Sequence, residues 1–492
     1  MASPSPLDHS MESEVGRESI QLPQNRRVTM FALACLIFFT TCGGAFGLEP
    51  LIGAVGPGLG VALIILTPLL WSLPTALMAA ELATLMPEEG GYYVWVRETF
   101  GAFWAVQHSC WMMTCAVLWL AIYPVLFVGY LTFFFPALAA SPDSTHFGMS
   151  VLLRWLVATL VIASGMGLNL LGAREVGRWA KVGAYIVLGA FVLLLLIWLE
   201  RGPTAGSGIG IISRDLSAGH RGLLLLGLSY IIFNCSGWEN ASTYAGEVDN
   251  PQRNYPRALA LGLLVLVLCY LLPVVAGISI TTEPAIWSSD AGWPVIAELI
   301  GGRWLGKLLA AAGLVSMWGL FNGQLLYASR LPYVLACDGW LPKFLAKVPP
   351  TASAPRMAIV CFSAIGALFA AFSFGSLAVI QCLLYSAALT LEFLALLVLR
   401  VRRPHAERSF RVPGGWLGMA YVLTSPFAFA ALLLYATLRD WRSFPGQLCV
   451  VGAILGIGVG LYFVRRRVAV PRGRGSFPHV TSSPSDTLTA RS

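Results

Sequence analysis

Charge is what this chain has least of. Asp, Glu, Lys and Arg make up 11% of its 492 residues, whereas 57% are hydrophobic and the mean hydropathy is +0.73. A water-soluble protein of this length cannot bury that much apolar side chain, because too much of its volume lies near the surface. The chain therefore reads as a multi-pass integral membrane protein, with the plasma membrane as the expected location. Its six histidines do not group with Asp, Ser or Cys in a hydrolase, transferase or metal pattern, so no enzyme, metal or cofactor is expected. Nine of the ten cysteines fall inside apolar runs and Cys337 sits beside a loop, which leaves no external pair for a disulfide. The first 27 residues hold no apolar core of the kind a cleaved signal peptide needs. With their Pro, Ser and charges they read as a disordered cytosolic tail.

What is abundant is apolar sequence in runs of about 20 residues, the length that crosses a bilayer. Twelve such runs fall near 28–54, 58–85, 101–135, 149–171, 176–199, 222–245, 256–280, 304–335, 356–374, 376–399, 415–438 and 447–464. An even number places both termini on one side. With that side cytosolic, the inner segments collect 24 Lys and Arg residues against 8 outside, the bias that orients membrane proteins. The net charge of +8 then reflects orientation and the anionic inner leaflet, and no nucleic-acid partner is expected. The chain beyond 464, rich in Pro, Ser and Thr, reads as a second disordered cytosolic tail, 465–492.

Two runs are interrupted. In the sixth, about a dozen apolar residues lead into Asn234-Cys235-Ser236-Gly237-Trp238-Glu239-Asn240, where the chain should still be in hydrocarbon. Irregular backbone and a carboxylate at that depth are tolerated where they line a buried or watered cavity. Glu239 is therefore a candidate functional residue; the alternative is a short helix whose Glu is satisfied by a neighbour. The first run breaks in the same way, at Cys42-Gly43-Gly44-Ala45-Phe46-Gly47, followed by Glu49. Its glycines let the backbone leave helical geometry. The two breaks align with an offset of 193 residues, or five helices. A matched pair of broken helices in two halves is the sequence pattern of a secondary transporter's binding site. A lone glycine cluster would more simply be a helix-packing face.

Several other polar residues lie within the runs. Glu81 sits about a turn from the inner surface within reach of water, where a structural role competes with proton relay. Tyr123 in the third run must hydrogen-bond something, either a substrate or a neighbouring helix. Gln381, Tyr385 and Glu392 fall in the tenth, and Glu392 stands close enough to the cationic run beginning at Arg400 to pair with it. The outer stretch 282–302, with Trp287 and Trp293, reads as an amphipathic surface helix able to act as a lid.

The motifs Gly43-Gly44-Ala45-Phe46-Gly47-Leu48-Glu49, Ala80-Glu81-Leu82 with Gly90-Gly91-Tyr92-Tyr93-Val94-Trp95, and Gly237-Trp238-Glu239-Asn240-Ala241-Ser242-Thr243 with Gly246-Glu247-Val248-Asp249-Asn250-Pro251 together resemble the amino acid–polyamine–organocation permeases. Tyr123-Pro124-Val125 and Leu391-Glu392-Phe393 look most like the polyamine:cation symporter branch known from plants and trypanosomatids. The resemblance spans residues 28–465. It implies an all-α membrane fold of twelve helices with a five-plus-five inverted repeat of the LeuT type. The repeats would cover 28–199 and 222–399, with 415–464 as two added helices. It also implies a substrate site between helices one and six and proton-coupled alternating access. Where relatives often carry Asp, Glu239 keeps the charge with one more methylene. Trp119 stands near a position that is acidic in plant members, and Lys181 lies too near the cytosolic end to take the role of the lysine that replaces sodium in some relatives.

On these grounds the expected function is proton-coupled symport of polyamines such as putrescine or spermidine. The alternatives are a proton-coupled amino acid permease and a non-transporting nutrient receptor. Candidate substrate-binding residues are Gly43, Gly44, Ala45, Phe46, Gly47, Tyr123, Asn234, Trp238, Glu239, Asn240 and Tyr385. Candidate proton-coupling residues are Glu239, Glu81, Glu392 and Glu49. The expected partners are a small organic cation or amino acid, protons and membrane lipids. One prediction needs only the topology: the sequons at Asn234 and Asn240 lie within the membrane. Expression in a glycosylating host should give a product whose mobility is unchanged by glycosidase, and a glycan on either residue would refute the topology.

Overall fold

The computed structural model describes residues 29–466 except 89, 140–148, 203–209, 212–214, 216–222 and 347–354. The expected disordered tails, 1–27 and 465–492, lie outside the described residues except for Arg465, which ends the last helix, and Arg466. Regular structure among the described residues is helical, as hydrocarbon requires of a chain that forms no closed barrel, because every backbone N–H and C=O must find a partner. Nine helical stretches among them are long and apolar enough to cross a membrane. Four shorter apolar helices accompany them, Met30–Thr41, Leu224–Asn234, Gly292–Gly301 and Arg356–Phe369.

The first shorter helix, α1 (Met30–Thr41), begins where the Thr29 hydroxyl accepts a hydrogen bond from the Ala32 N–H, and it stops at Cys42. Helix resumes in α2 (Glu49–Thr67) and runs through a π turn into α3 (Leu73–Leu85). Inside α2, Gly56 adopts φ 76° ahead of Pro57. A left-handed residue before a proline cannot propagate a helix, so 49–55 continues from α1 beyond the break and 57–85 is a separate helix. That boundary falls between the two runs read from sequence. Next come α4 (Tyr92–Phe100), α5 (Ala102–Leu131), α6 (Met149–Leu170) and α7 (Ala173–Arg201). The second break follows α8 (Leu224–Asn234), after which a 3₁₀ segment, Asn240–Glu247, leads to α9 (Pro251–Ile278).

The stretch 282–302 differs from the expected surface helix. It forms two short helices, α10 (Pro284–Trp287) and α11 (Gly292–Gly301), sunk into the bundle with Trp287 and Trp293 fully buried. The two indoles pack edge to face at 5.7 Å, and burying them removes large apolar surfaces from water. Then follow α12 (Arg303–Ala328), α13 (Arg330–Cys337), α14 (Arg356–Phe369), α15 (Phe374–Arg402), α16 (Gly415–Asp440) and α17 (Pro445–Arg465). The apolar window of α5 is 72% buried and that of α17 only 11%. So α5 is a central post and α17 a peripheral helix.

At the end of the bundle where α3 and α15 finish, the charges pair differently from the sequence expectation. Glu81 is fully buried rather than within reach of water, and it takes the cations expected for Glu392. Arg400 grips both its carboxylate oxygens, Arg408 Nε lies 3.2 Å from Oε1, and the Val412 N–H donates to Oε2 at 2.9 Å. Burial makes the pairing obligatory, since a lone carboxylate there would be uncompensated. A second lock at this end joins α4 to the end of α13. Tyr93 and Arg97 both donate to Asp338 Oδ2, at 2.7 and 2.8 Å. Replacing Glu81 with Gln leaves two guanidinium groups facing an amide. The loss should be on the order of 3 kcal/mol, read as a lower melting temperature of the detergent-solubilised protein. Unchanged melting would show that the cluster contributes nothing to stability.

Candidate functional site

The two breaks lie against each other, and side chains from five other helices satisfy their freed backbone groups. In the first break, Gln324 Nε2 donates to Thr40 O at 2.9 Å, and Ser316 donates to Gly43 O. Trp293 Nε1 donates to Ala45 O at 2.7 Å, and Asn234 Nδ2 donates to Gly47 O at 3.0 Å. In the second, Ser72 donates to Cys235 O at 3.1 Å and the Gly237 N–H donates to Tyr385 OH at 2.9 Å. Tyr270 of α9 reaches both breaks, donating to Asn234 O at 2.5 Å with its hydroxyl also 3.4 Å from Cys42 O.

Glycine is required where the breaks touch. Gly237 has φ +98°, and a Cβ there would stand 2.6 Å from the Thr40 carbonyl oxygen. Gly43 has φ +61°, and its Cβ would meet Leu320 at 2.5 Å. The L side chain is excluded twice over, by the backbone angle and by space.

The carboxyl-terminal ends of α1 and α8 both face a small cavity of about 10 Å³, walled by Thr41, Cys42, Phe46, Tyr123, Phe233 and Asn234 among others. That space is about one water, so the site is closed around itself. Of the sequence candidates, Phe46, Tyr123 and Asn234 line this cavity directly. Gly43, Gly44, Ala45 and Gly47 contribute the broken backbone beside it. Phe46 closes it by packing on Tyr130 at 5.1 Å and Phe191 at 4.9 Å. Tyr123 OH accepts from Gln324 at 3.2 Å. Trp238 turns away: its Nε1 donates to Cys235 O at 3.0 Å and its ring lies on Gly262 of α9. Asn240 is buried with neither amide atom hydrogen-bonded among the described residues. A larger cavity of about 250 Å³ lies between α1, α7 and α12. Its lining, including Leu36, Phe39 and Trp318, is almost wholly apolar and holds no carboxylate.

The four candidate glutamates have four different environments. Glu81 belongs to the arginine cluster described above. Glu49 opens α2 and accepts from the Gly47 N–H at 2.7 Å, Tyr130 OH at 2.7 Å and the Trp293 N–H at 3.3 Å. An acid in the first helical turn, bonded to free amides, complements the positive end of the helix dipole. Glu239 is fully buried, accepts from Tyr385 OH at 2.7 Å on Oε2, and has no partner on Oε1 among the described residues. Trp119 and Trp71 stand over Tyr385, at 5.4 and 6.2 Å between ring centroids. Glu392 meets His108, with Nε2 and Oε1 2.9 Å apart. Sequence reasoning missed His108, Tyr270 and Tyr130. His108 carried a signal, as an ionisable residue inside an apolar run, but its partner lies 284 residues away. No group of three or more His, Cys, Asp or Glu among the described residues is placed to hold a metal ion.

Paired broken helices around a buried carboxylate, in an all-helical membrane bundle, define a multi-pass membrane transporter rather than an enzyme. The chain belongs to the amino acid permease family, whose profile matches residues 28–455. It is 33% identical over 413 residues to the polyamine transporter PUT1 of Oryza sativa subsp. japonica, covering 83% of this chain and 74% of that one. It is 32% identical over 437 residues to the polyamine transporter RMV1 of Arabidopsis thaliana, covering 88% and 85%. To the serine/threonine exchanger SteT of Bacillus subtilis it is 25% identical over 346 residues, 70% of this chain and 75% of that one. The contact between the breaks makes one substitution decisive. Gly237→Ala should abolish transport of whichever solute the protein carries and lower its melting temperature, whereas Gly189→Ala, where a Cβ meets nothing within 4 Å, should do neither. Wild-type transport in Gly237→Ala would show that the breaks do not touch as described.

Proposed function

We propose that the chain carries organic diamines and polyamines, of the putrescine and spermidine class, across the membrane by proton-coupled alternating access. In this reading it has twelve spans in a five-plus-five inverted repeat followed by two further helices, with both termini cytosolic. The observation that carries the substrate class is Glu239. It is a buried carboxylate with one unpartnered oxygen and no ion pair to Lys, Arg or His among the described residues. An ammonium group supplies the missing charge and hydrogen bonds together. The ends of α1 and α8 add to this preference, since carboxyl-terminal helix ends attract cations. Tyr385 and Trp119 offer aromatic faces nearby. The names of the two plant relatives point the same way.

The amino acid alternative is less well supported by the same geometry. An α-carboxylate would need the amides freed at the first break and at the start of α2. The Gly47 amide is already bonded to Glu49, so the anion-binding position holds the protein's own carboxylate. The site as closed has no room for a substrate, so binding requires the walls between Phe46, Tyr123 and Asn234 to part.

The test is labelled putrescine uptake into proteoliposomes, with arginine and serine as competitors. Glu239→Gln should lower uptake by about 100-fold, the scale of losing a desolvated charge pair, while the purified protein remains monodisperse. Uptake at the wild-type rate in Glu239→Gln would remove Glu239 from the site. Full competition by serine would favour the amino acid reading.

A further inference from the structure

His108 on α5 and Glu392 on α15 form a buried ionisable pair, with Nε2 and Oε1 2.9 Å apart and both side chains 0% exposed. The other two polar atoms of the pair, His108 Nδ1 and Glu392 Oε2, are hydrogen-bonded to nothing among the described residues, and neither is the hydroxyl of Tyr92. Tyr92 packs its ring edge to face on the imidazole at 5.3 Å. Tyr385, which donates to Glu239 Oε2 at 2.7 Å, stands seven residues before Glu392 on α15, about two turns along the same face of that helix.

Among the described residues, no Lys or Arg is paired with Glu239 or Glu392. Tyr92 of α4 lies on the imidazole, and Tyr385 of α15 holds Glu239. Trp119 of α5 packs on Tyr385 and on Tyr327 of α12, and Cys115 of α5 reaches the Gln381 carbonyl of α15. From α3, Glu81 is committed to Arg400 and Arg408. The charged residues of α16, Arg439 and Asp440, and of α17, Arg465, stand at helix ends. With a neutral imidazole and two ionised carboxylates, the cluster would hold two uncompensated negative charges out of water, which is prohibitive. At least one proton or other cation has to be present, and the pair provides atoms on which a proton can reside.

We propose that His108 and Glu392 form a proton site linked by charge to Glu239, so that an ammonium arriving at Glu239 expels that proton and organic cations are exchanged for protons. The inference rests on the reading of Glu239 as the ammonium ligand. It reverses the sense of coupling expected from the family resemblance, in which amine and proton travel together. The step balances simply. One N–H bond at His108 Nδ1, or one O–H bond at Glu392 Oε2, breaks, and its proton passes to water on the side to which the site is open. The amine keeps all its hydrogens. The one ammonium group that reaches Glu239 replaces the one proton, so the charge of the cluster is unchanged, and the second ammonium of a diamine stays outside the cluster. Linkage is reciprocal, so a proton on the pair weakens amine binding by the same factor that the amine weakens the proton.

The experiment is a titration of purified protein with putrescine in weakly buffered solution containing a pH indicator, repeated across pH. Wild type should release about one proton per amine bound, and its Kd should tighten by up to about tenfold per pH unit as pH rises. Glu392→Gln should bind within about threefold of wild type at high pH yet release less than about 0.3 proton, with a Kd that no longer follows pH. Glu392→Asp, which keeps the acid, should restore release. The double variant His108→Asn with Glu392→Gln substitutes two amides able to bond each other, and it should behave as Glu392→Gln does. This keeps the test available if the single variant fails to fold. Proton uptake on binding by wild type, or undiminished release from both uncharged variants, overturns the proposal. If putrescine does not bind wild type but arginine does, the polyamine reading falls, and the same proton count with arginine still judges the pair.

Discussion

A backbone that leaves helical geometry inside a bilayer must have its hydrogen bonds completed by something else. The rest of this structure follows from how that is done. Tyr270, Trp293, Ser316, Gln324 and Tyr385 come from α9, α11, α12 and α15, and each ends on a carbonyl or amide freed in α1 or α8. The breaks are therefore not loose segments. Each bond ties a broken helix to a continuous one, so a solute that takes over any of these backbone groups also loosens a contact between helices. In the proposed alternating-access reading, occupancy and rearrangement would be coupled through the same few atoms.

The buried glutamates show how a low-charge protein distributes the charge it keeps. Two are fully matched by fixed groups, Glu49 by amides and a phenol, and Glu81 by two guanidiniums. Two are not: Glu239 has a single phenol, and Glu392 an imidazole. Fixed compensation gives stability and holds one end of the bundle together. Incomplete compensation leaves an unpartnered carboxylate oxygen on each, which in the proposed reading a mobile cation fills. Position in the fold, rather than residue type, separates the two roles.

This separation also explains what could be read from the sequence. The breaks were legible because glycines and polar residues in an apolar run are local facts, and the offset between the two breaks is a property of the string. Glu239 was legible for the same reason. The partners were not. Glu81 meets Arg400 across 319 residues, and His108 meets Glu392 across 284. Proximity along the chain instead suggested that Glu392 would pair with Arg400. The helix geometry explains the difference: Arg400 is eight residues beyond Glu392 on α15, about 12 Å further along the axis at 1.5 Å per residue. At that level it faces the end of α3 rather than the level of α5 where His108 lies. The stretch 282–302 was misjudged for a related reason. Its tryptophans look interfacial by composition, but Trp293 is drawn inward by the carbonyl of Ala45.

The contrast between Glu49 and Glu239 extends this argument to the sign of the substrate. Both are buried acids beside a helix break, and both accept a hydrogen bond from a tyrosine, Tyr130 in one case and Tyr385 in the other. Glu49 sits at a helix amino terminus, where the backbone itself supplies the positive partner. Glu239 follows the carboxyl-terminal end of α8, where the backbone supplies the opposite sign. An anion entering the site would have to displace Glu49 from amides it already holds, whereas in the proposed reading a cation would be drawn by two negative helix ends at the cavity and by Glu239 just beyond the end of α8. A solute with ammonium groups and no carboxylate satisfies both constraints without rearranging the break around Gly47, and a diamine is the simplest molecule of that kind.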